Sequence, residues 1–173
     1  MRKIKRYVTG LNEAGQSFIL FDDYATSTFP LGSGGLTDVW ATAEVPVNNK
    51  GETDRSLRPM QQVPAPHGTI FRVVEIPPDK ELAEAYAAAH AGLQSEHKPT
   101  ESDQAKHASM HKEDTLTYAA IIEGEVWFMT DTDEVLLKPG DCLVCRGITH
   151  GWSNRTDQPC LLIGVSVDAE PVY

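Results

Sequence analysis

The chain has no long apolar run. No stretch approaches the ~20 consecutive apolar residues that a helix needs to cross a bilayer, so no membrane-spanning helix is expected. Its start, MRKIKRYVTG, is basic but lacks an apolar core, and does not read as a secretory signal. Positive charge is in short supply: 15 Lys and Arg face 25 Asp and Glu, for a net charge of −10. A surface of that sign repels phosphate backbones, which excludes nucleic acid as an expected partner. Cysteine is scarce as well, at three residues, Cys142, Cys145 and Cys160, all in apolar strand-like contexts. Cys142 and Cys145 differ by an odd number, so on a strand they face opposite sides and do not pair as a redox or zinc motif. Buried reduced thiols are the expectation, with a cytoplasmic location. Asn154-Arg155-Thr156 matches a glycosylation sequon but is expected to stay unmodified without a secretory signal.

What the chain does have is a series of short strands. The 173 residues fit one domain. Arg6 to Leu11 and Ser17 to Phe21 read as a hairpin around Asn12 to Gly15. Asp22 to Gly35 reads as loop, broken by Pro30 and glycines, and Leu36 to Val45 as a strand carrying Trp40. Pro46 to Gly68 is a long polar loop, a length usually reserved for function or mobility. It is placed to cover an opening or to reach a second subunit. In Thr69 to Ile76, alternation puts Ile70, Arg72, Val74 and Ile76 on one face. Arg72 is then a charge on an apolar face, either meeting a substrate carboxylate or closing a structural ion pair or dimer contact. Pro77-Pro78 ends the strand, Asp79 suits a helix N-cap, and a helix follows from Leu82, closed by Gly92. Ser95 to Ser109 reads as flexible linker, with His97 and His107 as solvated side chains and His90 as a surface or packing residue of the helix.

From Met110 to Asn154 the strands become regular. Thr117 to Ile122, Val126 to Met129, Val135 to Leu137 and Cys142 to Cys145 alternate with turns at Glu123-Gly124, Thr130 to Asp133, Pro139 to Asp141 and Arg146-Gly147. That spacing argues an antiparallel sandwich or barrel. Cys160 to Val167 is a further strand, apolar enough to be buried on both sides. His111 and His150 stand at the two ends of the run, and a chain that leaves along one strand and returns along its neighbour brings them together.

These residues resemble the cupins. The second cupin motif reads Gly, five residues, Pro-x-Gly, two residues, His, three residues, Asn; here it is Gly140, five residues, Arg146-Gly147, two residues, His150, three residues, Asn154. The first motif usually carries His-x-His, then Glu, then Gly; counting back from Gly124 places His111, Glu113 and Thr117 at those positions. RYVTGLNEAGQSFIL, the Trp40 region and GTIFRVVEIPPD are similar to a subgroup of small cupins, some of them called cupin oxidoreductases and encoded beside fungal polyketide pathways. Within that subgroup Glu113 stands where Thr is usual and Thr117 where Asp is usual. The resemblance implies an all-β fold, a cupin double-stranded β-helix or jelly-roll barrel over 69–173, with a helical and linker insertion at 79–109. Residues 1–68 would be N-terminal strands and a Pro-rich loop packed on it. It also implies a homodimer.

On a strand His111, Glu113 and Thr117 point the same way, and His150 joins them from the returning strand with Trp152 and Arg146 on its face. Two imidazoles and a carboxylate with open positions beside them suit a divalent metal, whether Fe, Mn, Ni or Zn. The same residues are also candidates for catalysis without a metal, a His beside a carboxylate being a general base. Trp127 and Met129 share one face of their strand, with Phe128 on the other, and make an apolar pocket for an apolar or aromatic substrate. Arg72, Thr117, Trp127, Met129, Arg146 and Trp152 are thus the expected pocket, and a small-molecule, metal-dependent enzyme is the leading functional reading. The alternative is a metal-free ligand-binding barrel, a sensor or carrier, in which His111 and His150 are polar pocket groups.

Overall fold

The computed structural model describes residues 1–93 and 97–172, without the side chains of 83, 84 and 87–91, so the expectation for His90 falls outside the described residues. Twelve strands and two helices are described. A hairpin of β1 (Lys5–Leu11) and β2 (Ser17–Tyr24) forms its own sheet. The larger sheet contains β3 (Ser27–Leu31), β4 (Gly34–Thr42), β5 (Thr69–Ile76), β7 (Leu116–Glu123), β10 (Cys142–Arg146) and β12 (Cys160–Val167). Its order is β10-β7-β12-β5-β4-β3, antiparallel throughout. The smaller sheet has the order β6-β11-β8-β9, from β6 (His111–Lys112), β8 (Val126–Met129), β9 (Glu134–Leu137) and β11 (Thr149–Ser153). This is the all-β barrel expected, and β3 and β4 are hydrogen-bonded into its larger sheet beside β5.

The core lies between the two sheets. Ile76, Ile121, Val126, Phe128, Leu137 and Leu162 are buried there, contributed by β5, β7, β8, β9 and β12. Each large apolar side chain removed from water contributes about 1.5–3 kcal/mol. The barrel is closed at one corner by Asn154, whose side chain is fully buried. Its Nδ2 donates to Ile76 O and Gln158 O, and its Oδ1 accepts from Thr156 N and Thr156 Oγ1. The motif asparagine is therefore a corner pin with its hydrogen bonds satisfied, and its amide is out of reach of glycosylation.

Several local expectations are corrected. Asp22 to Gly35 is not all loop, because Ser27 to Leu31 pairs with β4 despite Pro30; as the outermost strand of its sheet, β3 tolerates a missing N–H. Asp79 opens helix α1 (Asp79–Gly92). Its carboxylate does not act as an N-cap: it accepts from Ser153 Oγ at 2.6 Å and Asn154 N at 2.8 Å, tying the helix to β11. The segment read as flexible linker contains a second helix, α2 (Glu101–Lys106), started by a reciprocal Thr100–Asp103 capping box. The 46–68 loop is held down. Buried Arg6 bonds Asp54 at 2.5 Å, and Arg72 donates to the carbonyls of Gln61 at 2.6 Å and Gln62 at 3.1 Å. Of the cysteines, Cys145 and Cys160 are buried free thiols, but Cys142 is exposed on the outer face of β10.

Candidate metal centre

His111 and His150 are directly opposite each other, cross-strand partners in the β6–β11 ladder. Their ring centroids are 4.5 Å apart. Glu113, two residues along, turns back into the same corner and lies 3.2 Å from His111 Nε2 through Oε1. One donor atom from each of the three residues lies within 4.8 Å of the others.

Both rings are oriented from behind. His111 Nδ1 lies 2.7 Å from Ser109 O, and His150 Nδ1 lies 3.0 Å from Ile148 O. A carbonyl only accepts, so each Nδ1 carries a hydrogen and each Nε2 is the nitrogen left to face the cavity. For His111 that nitrogen meets a carboxylate oxygen. Two acceptors do not rest at hydrogen-bond distance without a proton or a cation between them, so this corner is built to hold one or the other. Burial pulls the His111 value down, but the hydrogen bond and charge of Glu113 outweigh it and raise the pKa. Burial likewise pushes Glu113 up, yet His111, His150 and Arg72 hold it well below the usual carboxylate range. His150 is pushed down to about 4 by burial and by the neighbouring His111, and is neutral.

The segment carrying His111 is clamped by Ser109. This fully buried hydroxyl donates to Trp152 O and accepts from Trp152 N, both at 2.8 Å. Gly151 makes the approach possible: a Cβ there would stand 2.8 Å from Met110 Sδ and 2.9 Å from Ser109 Oγ. His107 backs the clamp, with Nδ1 2.7 Å from Ser109 Oγ and Nε2 3.4 Å from Asp79 Oδ2. It is not the solvated histidine expected from the linker reading. Nor is His97, which lies 2.6 Å from Asp114 Oδ2.

The corner opens on a cavity of about 140 Å³ between the sheets. Arg72, Thr117 and Trp152 line it as expected. Arg72 is already engaged, however, with Nε donating to buried Asp38 at 2.6 Å, which is the structural ion pair rather than a waiting guanidinium. Thr117 Oγ1 is 2.9 Å from Ser166 Oγ and 3.2 Å from Thr115 Oγ1, and Thr115 donates to Glu113 Oε2 at 3.2 Å. Trp127, Met129 and Arg146 do not line the cavity. Phe128 is the inward residue of β8, stacked on His150 at 5.4 Å, which sends Trp127 and Met129 to the opposite face. Trp127 is covered there by Arg155 at 4.5 Å. Arg146 is exposed because Gly147, at φ +59°, turns the chain and resets the alternation before His150, so that Cys145 faces inward instead. The sequence reading missed Ser109, Phe128, Ser166 and Tyr86. Ser109 shares the odd-numbered parity of His111 and Glu113, which is the signal that was there to find.

No protein-family model matches the chain. The cupin-domain-containing oxidoreductase srdD of Neurospora crassa is 25% identical over 161 residues, covering 90% of this chain and 69% of its own. The cupin-domain-containing oxidoreductase fogC of Aspergillus ruber is 24% identical over 183 residues, covering 100% of this chain and 76% of its own. Among solved structures, the cupin domain of Schizosaccharomyces pombe Cnp3 aligns over 96% of this chain and 88% of its own, at 10% identity and a TM-score of 0.47. The relatives that the chain is similar to over nearly its whole length include several that bear the name cupin-domain-containing oxidoreductase.

Proposed function

We propose that the protein is a cupin enzyme of the oxidoreductase kind, holding a divalent metal on His111, Glu113 and His150 and acting on a small molecule inside the barrel. The observation that carries this reading is the pair of outer hydrogen bonds, Ser109 O to His111 and Ile148 O to His150. Metal-ligating histidines are oriented in this way, with the second ring nitrogen tied to a carbonyl so that the first presents its lone pair. Two nitrogens and one carboxylate fit Fe, Mn, Ni or Zn, and ligand type does not choose among them. Held by these residues, a divalent ion would supply Lewis-acid chemistry. The chain's own contribution is to hold His150 neutral, to fix the His111 ring against Glu113, and to seat the substrate among apolar walls. The names of the relatives support oxidoreductase chemistry over the other cupin reactions.

A metal-free binding barrel is the second reading. It is favoured by Thr117, a poor ligand at the position where the family usually has a fourth one, and by the His111–Glu113 pair, which satisfies itself. Elemental analysis after equilibration with each of the four ions decides between them. One metal per chain, lost in His150→Ala with the β-sheet spectrum kept, is the expected result. A wild-type chain that retains none of the four ions overturns the metal reading and leaves the binding barrel.

A further inference from the structure

We propose that the cavity takes an uncharged molecule about one ring in size, with a hydroxyl or carbonyl oxygen on a single edge; this rests on the reading of the barrel interior as the functional site. Three observations converge on that class. The first is size. The cavity measures about 140 Å³, and an apolar cavity of ~150 Å³ is filled by benzene.

The second is charge. Among the described residues lining the cavity, the charged groups are already engaged by partners. Arg72 is the permanent cation, and all three of its guanidinium nitrogens are engaged: Nε by Asp38 at 2.6 Å, Nη1 by Gln62 O at 3.1 Å and Nη2 by Gln61 O at 2.6 Å. Asp38 is fully buried, and Arg58, which does not line the cavity, approaches its other oxygen at 3.9 Å. Glu113 Oε1 lies 3.2 Å from His111 Nε2 and Glu113 Oε2 accepts from Thr115, so that carboxylate is engaged as well. A carboxylate or phosphate entering this space gives up its hydration and finds the Arg72 guanidinium already engaged on all three nitrogens. Arg72 is better understood as a builder of the wall, since its two carbonyl partners fix the 46–68 loop and set Gln62 at the cavity.

The third is the distribution of polar groups. Phe29, Leu31, Leu36, Val74, Tyr86 and Leu162 supply side-chain carbon to most of the lining. The lining Ser and Thr hydroxyls lie along one seam, Ser166 to Thr117, which continues through Thr115 to Glu113 with steps of 2.9, 3.2 and 3.2 Å. A ligand with oxygen on one edge meets that seam while its body meets the apolar walls. The preference for an uncharged ligand is that of the metal-free chain, since a divalent ion at the His–Glu corner would leave positive charge there unmatched.

The test uses the full chain stripped of metal with chelator, so that its outcome is independent of whether the metal reading holds; that reading is judged separately by metal stoichiometry. Phenol, benzoate and phenyl phosphate are titrated while following Trp fluorescence, since Trp152 lines the cavity. Phenol is expected to bind saturably, with benzoate and phenyl phosphate weaker by at least about tenfold. Ala119→Leu, which fills the cavity from β7, is expected to abolish the phenol response, and Asp38→Asn, which uncovers the Arg72 charge, to raise benzoate relative to phenol. Benzoate binding as tightly as phenol in the wild type overturns the proposal. So does no binding by any probe, or phenol binding undiminished in a folded Ala119→Leu chain.

Discussion

Glu113 and Asp114 are neighbours in the chain and face opposite ways. Each meets a histidine, Glu113 with His111 at 3.2 Å inside the barrel and Asp114 with His97 at 2.6 Å outside it. The outer pair is the shorter, yet only the inner one has the makings of a site. His97 has a third of its side chain in water, and Lys112 approaches the other Asp114 oxygen at 3.4 Å, so the acid there is answered by surface cations. Inside, the imidazole is fixed from behind by a carbonyl, a second imidazole stands beside it, and a cavity lies in front. A close His–acid distance therefore does not mark function. Fixed ring orientation and an open face do.

The comparison is broken most forcefully by removing one histidine from each side. His150→Ala is expected to weaken metal binding by more than about a hundredfold, since losing even an outer partner of a ligand costs 10–100-fold. His97→Ala is expected to leave metal affinity unchanged. Calorimetric titration with Zn or Mn reads both, and equal losses in the two variants would show the inner corner to be no more special than the surface pair. The neighbouring acids give a finer contrast. Glu113→Gln keeps the shape and removes the charge, and is expected to reduce affinity by about ten- to a hundredfold. Asp114→Asn, one residue on, is expected to change it by less than about twofold, as suits a pair outside the barrel. Loss of metal in Asp114→Asn alone would move the site outside.

Much of this arrangement was legible in the sequence because it depends on local period. The strands from Leu116 onward follow alternation and Gly-marked turns, and the spacing between His111 and His150 places them on returning neighbours. What local period does not carry is the partner of a charge or the choice between two apolar faces. Arg72 stands on an inward face as alternation requires, but its partner Asp38 is 34 residues away on the next strand. Trp127, Phe128 and Met129 are apolar on both sides of β8, so the pattern gave the two faces without saying which one met His150. Arg146 was misplaced because parity was counted straight through Gly147, where a positive φ ends one strand before the next begins. Residues 101–106 looked like linker because polar composition hid a short helix held by its cap and by Lys106 bonded to Asp131 O at 2.6 Å.

The clamp behind the inner pair provides a smaller effect that sharpens the contrast further. Ser109→Ala retains the carbonyl that fixes His111 but removes the hydroxyl that ties this segment to both backbone groups of Trp152. Metal affinity is expected to fall about tenfold. Stability is expected to fall by about 1 kcal/mol per hydrogen bond lost. In the Co-loaded chain the visible bands are expected to broaden, because the His111 ring is less well fixed; a merely destabilised chain with unchanged bands would mean that Ser109 holds the strand and not the ligand.

The smallest effect belongs to the outer pair and appears as a dependence on pH. The hydrogen bond from His97 holds the Asp114 carboxyl below its ordinary value of 3.8, against the opposite push of burial and with Lys112 assisting. A carboxyl whose folded pKa is depressed contributes stability that is fully present above its unfolded value, and loses it as pH falls through the folded one. Asp114→Asn has no proton to take up at that position. The wild type should therefore be more stable than Asp114→Asn near neutrality, by less than about 1 kcal/mol for a pair so close to solvent. That margin should shrink as pH drops below about 4. Urea unfolding of both chains from pH 7 to pH 3, with chelator present, isolates this contribution, because Glu113 titrates alike in the two and cancels. A margin that stays flat or widens on acidification would mean that Asp114 gains nothing from His97, and that the outer pair is a contact without energetic weight.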